Sequence, residues 1–132
     1  MKAYTDVEQS KKLAEILPIE SADLWWAERY AGRMENWEYI VEEKPVYYLS
    51  LTKPSNDNYS QDTVKDIPCW SLAALLDILD YPQLSKDKLG SGKTGWMVSV
   101  YPDNCRYDSC WHNNPIDACY EMILKLHEQN LL

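Results

Sequence analysis

The chain has 132 residues, which fits one domain spanning residues 1–132 with a core that hides roughly two thirds of its unfolded surface. Its 45% hydrophobic content is ordinary for a globular protein, and no stretch approaches the ~20 continuous apolar residues of a membrane span, so no membrane association is expected. The net charge of -8 comes from 21 acidic and 13 basic residues. The cations are scattered and form no stripe that could neutralise phosphates, which argues against nucleic acid and favours a basic protein partner.

The first residues, MKAYTDVEQSKKLAEILP, hold lysines but no apolar run of the kind a signal peptide needs, so a cytoplasmic location is expected. There the four cysteines, Cys69, Cys105, Cys110 and Cys119, stay reduced and act as small hydrophobes, with no disulfides. Thr5 and Glu8 have the spacing of a capping box, predicting a helix from there to about Leu17. Its buried stripe is Ser10, Leu13, Ala14 and Leu17, and Pro18 stops it.

From Ala22 the pattern turns aromatic and short-period. ADLWWAERY, NWEYIV and PVYYLSL read as strands separated by polar or Gly/Pro breaks, although the first also tolerates a helix. Trp37, Tyr39 and Val41 alternate with Glu38, Ile40 and Glu42, which predicts a sheet with one wet face. Residues 53–67 (KPSNDNYSQDTVKDI) offer little to bury and read as a long loop, either mobile or functional.

In PCWSLAALLDILDYP, Ser71 is placed to cap a helix, and Trp70 is placed to staple onto Leu75. Leu72, Leu75, Leu76 and Leu79 follow helical spacing, with Pro82 at the end. WMVSVY (96–101) and CRYDSCWH (105–112) read as a hairpin around Pro102, Asp103 and Asn104. A connection from Tyr101 to Asn104 places Trp96, Val98 and Val100 on the same face as Cys105, Tyr107 and Trp111; a three-residue loop would oppose the two sets. Asn114 then caps a helix with Pro115 in its first position and Asp117 in its first turn. Ile116, Cys119, Tyr120, Ile123 and Leu126 form its inner face. Asp117, Glu121, Lys125 and Glu128 form the outer one, with a Glu121–Lys125 pair.

Several stretches invite a chemical reading that their surroundings oppose. LGSGKTGW (89–96) ends like a phosphate-binding loop, but Asp87 holds the place of the first glycine, PQLSKDK is too polar for a buried strand, and a strand pattern follows Thr94 where a helix is required. It reads as a connector from helix to hairpin, so no nucleotide site is assigned. Cys105, Cys110 and His112 have C-x4-C-x-H spacing, unlike the CxxC knuckle of structural zinc sites, and alternation puts the two cysteines on opposite faces. Cys110 and His112 share a face but stand about 6–7 Å apart along a strand, long for a nucleophile and base. No metal, cofactor or catalytic residue is assigned. His127, in the last helical turn, is explained by the helix dipole.

IPCWSLAALLDIL (67–79) and NPIDACYEMILKLHEQNLL (114–132), with the weaker LAEILPIESADLW (13–25), resemble segments of a family of small uncharacterised bacterial proteins from phage-like and other mobile-element contexts. The resemblance covers somewhat over a third of the chain and implies an intracellular scaffold, with no catalytic role carried to any residue.

The sequence therefore predicts an α+β domain: an antiparallel sheet of about four to five strands with two or three helices packed on one face. The leading functional expectation is a small non-enzymatic cytoplasmic binding module, such as an inhibitor or accessory protein of a mobile element, engaging a protein partner. Six Trp and ten Tyr with no Phe supply aromatic bodies with polar tips for such a surface. Trp25, Trp26, Trp37 and Tyr59 are the candidate binding residues. The alternative is a small enzyme or carbohydrate-binding protein with a site among Trp25, Trp26, Trp37 and the neighbouring Glu28, Glu35 and Glu38. A concave pocket holding two carboxylates or a Cys/His pair would favour the enzyme, and a flat or convex apolar patch the binding module.

Overall fold

A computed structural model describes residues 2–53 and 66–132. Among them the elements run α1 (Val7–Ala14), β1 (Leu24–Arg29), β2 (Gly32–Glu35), β3 (Glu38–Val41), β4 (Val46–Ser50), β5 (Asp66–Cys69), α2 (Leu72–Ile78), β6 (Gln83–Lys88), β7 (Thr94–Val100), β8 (Tyr107–Asp108) and α3 (Pro115–Glu128). This is an α+β arrangement. The strands, expected in one sheet, divide among three antiparallel sheets ordered β4-β1-β5, β2-β3 and β6-β7-β8. The helices accordingly meet more than one sheet face: α1 packs on β5, whereas α3 packs on β7 and on α2.

The first helix is capped one residue later than its spacing predicts. Asp6, not Thr5, accepts from the Gln9 amide at 2.7 Å, and Gln9 returns a bond to the Asp6 amide. A carboxylate complements the helix dipole better than a hydroxyl, and the shift frees Thr5 for the interior. There its hydroxyl meets that of Ser10 at 2.7 Å and accepts from the Trp70 amide at 3.1 Å. Beyond Ala14 the chain tightens, with Ile16 N bonding back to Leu13 O three residues earlier, so the helix stops before Pro18 and Leu17 is still buried.

The second helix starts as expected. Ser71 Oγ accepts from Ala74 N at 3.2 Å, while Trp70 and Leu75, the two ends of the staple, are both fully buried. Replacing Ser71 with alanine is expected to cost about 1 kcal/mol, read as a shift of the urea midpoint at constant slope. The third helix also begins as its sequence predicts, with Asn114 Oδ1 accepting from Asp117 N at 2.9 Å. Leu13 and Leu17 of the first helical region, Trp70, Leu75 and Leu79, Val98 and Val100 of β7, and the Ile116–Leu126 stripe of α3 close into one core.

Three expectations need correction. QLSKDK, judged too polar for a buried strand, is the exposed edge strand β6, so the stretch after it does not connect a helix to a hairpin: β6 pairs along β7 from Gln83↔Ser99 to Lys88↔Thr94. LGSGKTGW therefore includes a hairpin turn, closed by Leu89 N to Lys93 O with Gly92 at φ 82°, and the residues after Lys93 continue as strand. Second, the loop assigned to 53–67 gives Asp66 and Ile67 to β5; positions 54–65 lie outside the described residues.

The third correction concerns the second hairpin. Val100 stands opposite Tyr107 and Ser99 opposite Asp108, so the connection runs from Tyr101 to Arg106, two residues longer than the four-residue one; the even difference keeps Val100 and Tyr107 on one face, and Ser109 bonds Val98. The next bridge, however, is Trp96 with His112. Two residues, Cys110 and Trp111, thus face one residue, Met97. Such a bulge reverses the alternation, so His112 and not Trp111 shares the Trp96 face. The amide freed at Cys110 is satisfied by Glu121 Oε2 at 2.7 Å. Glu121 is consequently no outer-face partner of Lys125, whose ammonium bonds Asp108 O at 3.0 Å instead.

Candidate binding surface

β1 and β4, followed by β2 and β3, form one long ribbon with a kink. Partner numbers along β2–β3 sum to 73, continued by Glu42 N to Ala31 O, and along β1–β4 they sum to 75, so two extra residues are accommodated between Glu42 and Pro45. Past that kink all residues of the β2–β3 hairpin except the half-buried Ile40 are exposed.

Cross-strand partners share a face, which makes the hairpin two-sided. Gly32, Met34, Tyr39 and Val41 lie on one side, and Arg33, Glu35, Glu38 and Ile40 on the other. Arg33 reaches Glu42 at 2.7 Å and Glu35 at 3.4 Å, tying the polar side together. The opposite side is bare hydrocarbon and aromatic ring: Met34 is 64%, Tyr39 67% and Val41 50% exposed. Tyr39 lies across Gly32, where a Cβ would collide with the phenol ring, so glycine at this position permits the ring its place.

Asn36 and Trp37 form the tip, at φ 51° and 68°, between the opposed Glu35 and Glu38. Both central residues of a type I′ turn need the left-handed region; the second is ordinarily glycine. Here it is a tryptophan, 97% exposed. A bulky residue in that region costs of order 1–3 kcal/mol and recovers nothing through burial.

The other predicted binding residues are not brought to Trp37. Trp25 and Trp26, being adjacent on β1, point to opposite faces. Trp26 is half-buried, donates its indole N–H to Thr5 O at 3.0 Å and meets the Tyr4 ring edge-on at 5.6 Å, contacts that serve the scaffold. Trp25 carries the Lys53 ammonium 5.5 Å above its ring. Tyr59 lies outside the described residues. Of the glutamates, Glu28 is buried and accepts from the Tyr30 hydroxyl at 3.0 Å. Glu35 and Glu38 do face each other beside Trp37, but on a ribbon open to solvent on both sides.

Tyr39 and Val41 were legible as apolar strand residues, and Met34 was not. What composition did not reveal is that no second layer covers them. The sequence also carried no strong strand signal for Gly32–Glu35, because glycine, arginine and glutamate favour strands weakly.

The cysteine stretch is held by α3. His112 Nε2 lies 3.3 Å from Glu121 Oε1, out of line for a hydrogen bond, and has no other partner among the described residues. Burial pushes Glu121 upward, but the Cys110 amide and thiol and the His112 ring outweigh it and hold the carboxyl below its ordinary value. Cys69 and Cys119 are buried thiols. Burial raises both, Cys119 to about 12, so Cys119 is not a thiolate at neutral pH. Among the described residues no three His, Cys, Asp or Glu side chains gather as metal ligands would.

A cavity of about 640 Å³ opens where the helices end, walled by Ile16, Leu17, Ile78 and Leu126 with Asp80 and His127 at its rim. It holds a single aspartate, which is not the paired-carboxylate geometry of glycoside cleavage.

Asp117 ties the N-terminal segment to α3. It accepts from Lys2 at 2.9 Å, from Gln9 at 2.8 Å and from the Asn114 amide at 2.8 Å. Burial would raise its carboxyl, yet these donors together hold it below its ordinary value. For a carboxyl whose folded pKa is depressed, the stability contributed is full above the unfolded pKa and vanishes as pH falls through the folded one. Asp117 and Glu121 thus predict a melting temperature that falls from about pH 4 downward. The Asp117→Asn variant, less stable at pH 7 by about 2 kcal/mol, should lose less on acidification than the wild type in parallel thermal melts. Equal acid sensitivity in both would rule Asp117 out as a source.

Among the described residues no helix is long and apolar enough to cross a membrane. No family model, curated protein or solved structure matches the chain. The described residues form an α+β body bearing an exposed, two-sided hairpin.

Proposed function

We propose that the protein is a small, non-enzymatic cytoplasmic binding module that engages a protein partner through the β2–β3 hairpin, with Trp37 as the anchor. The observation that carries this reading is the placement of Trp37: a large aromatic residue at a left-handed turn position, fully in solvent, above an uncovered Met34/Tyr39/Val41 face. Strained backbone persists where function requires it, and Trp is the residue type most enriched among energetically dominant interface anchors. The excess of acids favours a partner with a basic rim, and the scattered cations disfavour nucleic acid. The likeness of residues 67–79 and 114–132 to proteins of mobile elements supports an inhibitor or accessory role in that setting.

The test is affinity capture from the native host with wild-type and Trp37→Gly baits, read by quantitative mass spectrometry, alongside a glycan array. A protein enriched on the wild type and depleted on the variant supports the reading. Binding of a glycan with no protein captured would replace it with the carbohydrate alternative.

A further inference from the structure

All three helices end at the cavity of about 640 Å³: Ile16 and Leu17 follow α1, Ile78 closes α2, and Leu126 and Leu131 stand on either side of the end of α3. The last of these is brought back by Asn130. At φ 56° it closes a Schellman turn, in which Asn130 N donates to His127 O at 3.1 Å and Leu131 N to Leu126 O at 2.9 Å, so Leu131 packs against the core instead of leaving it. Leu17, Val100 and Leu126 are buried, while Ile16, Ile78 and Leu131 line the cavity as half-buried hydrocarbon. The volume falls in the range of roughly 300–1,000 Å³ that small-molecule sites occupy.

Charge around this hydrocarbon is one-sided. Asp80 at the rim is exposed and has no ion-pair partner among the described residues, and no described lysine or arginine lines the cavity. The helix ends add to the same sign, because the carbonyls of a helix C-terminus favour a cation nearby. Tyr81, next to Asp80, lies in the left-handed region at φ 47° and is 85% exposed, so a bulky residue is strained there with no burial in return. An exposed tyrosine ring is also a surface that attracts cations. A ligand carboxylate, by contrast, would meet Asp80 and three helix C-termini, all of its own sign. We propose that the cavity binds a small molecule with a hydrocarbon body and a cationic amine: the body lies against Ile16, Ile78 and Leu131, and the ammonium pairs with Asp80. None of these residues belongs to the β2–β3 hairpin, so the site stands independently of the reading above.

Amide NMR titration of the full chain with n-octylammonium and with octanoate tests it, at low salt and about pH 8, where an ordinary histidine is neutral. Octylammonium should shift the amides of Asp80, Val100, Leu126 and Leu131 saturably, with a dissociation constant in the roughly millimolar range expected of so small a ligand. Octanoate should bind about tenfold more weakly. The net charge of -8 attracts any cation, so two variants that each remove one exposed carboxylate decide the matter. Asp80→Asn should bring the two affinities to within a factor of about three, whereas Asp87→Asn, on β6, should leave the preference about tenfold. No saturable shift at these amides up to about 20 mM octylammonium overturns the proposal. So does equal binding of octanoate by the wild type, a preference that survives Asp80→Asn, or an equal loss in Asp87→Asn.

Discussion

Trp37→Gly is expected to separate stability from binding. At φ 68° glycine pays no side-chain penalty, whereas tryptophan is strained, and 97% exposure means the indole contributes almost no buried area to the fold. Asn-Gly is the preferred pair for this turn. Glycine's own entropic cost of roughly 0.5–1 kcal/mol offsets part of the relief, so the variant should be as stable as the wild type or more so by up to about 1 kcal/mol. Partner affinity should fall by about 2 kcal/mol or more, about 30-fold, the loss typical of an aromatic anchor. Urea unfolding and the capture assay read the two quantities separately. A variant that is destabilised yet keeps its partner would mean that Trp37 serves the fold and that recognition lies elsewhere.

Trp70→Ala is expected to have the largest effect on stability, about 3–5 kcal/mol, which can be a third or more of what holds a domain of this size together. Trp70 is fully buried where β5 turns into α2. Its indole donates to Ser21 Oγ at 3.0 Å, and its backbone exchanges bonds with Thr5, accepting from Thr5 N at 2.9 Å. The backbone bonds to Thr5 persist in the alanine variant, so what is lost is the packing of the indole in the common core and its bond to Ser21. Trp70→Phe keeps most of the ring volume and loses the N–H donor together with the atoms of indole's second ring. Ser21 Oγ still donates to Pro18 O at 2.6 Å, so about 1–2 kcal/mol should be lost. Chemical denaturation of both variants measures the difference. If alanine cost no more than phenylalanine, the cavity argument would fail and the core would have to be centred elsewhere.

The parts of the molecule that sequence alone determined are those governed by neighbours along the chain. Ser71 and Asn114 cap helices because a short polar side chain reaches an amide three residues on, whatever lies around it. The leucine spacing of 72–79 and the apolar stripe of α3 follow from helical period and from the need to bury them. The strand after Thr94 was likewise legible, because the alternation in WMVSVY is a local fact.

Tertiary structure decided whatever depended on which surfaces meet. Thr5 and Asp6 were both competent caps, and the choice fell to Asp6 because Thr5 was wanted by Trp70 and Ser10. Glu121 looked like the partner of Lys125 until a bulge two residues wide presented it with the Cys110 amide. Alternation in residues 37–42 predicted a strand in a sheet with one wet face; the strand is there from Glu38 to Val41, but Trp37 stands in the turn and both faces are exposed, because a period of two contains no information about whether a second layer exists to cover one of them. That Met34, Tyr39 and Val41 remain uncovered, with Trp37 strained at their tip, depends on which surfaces meet in three dimensions, which no local period encodes.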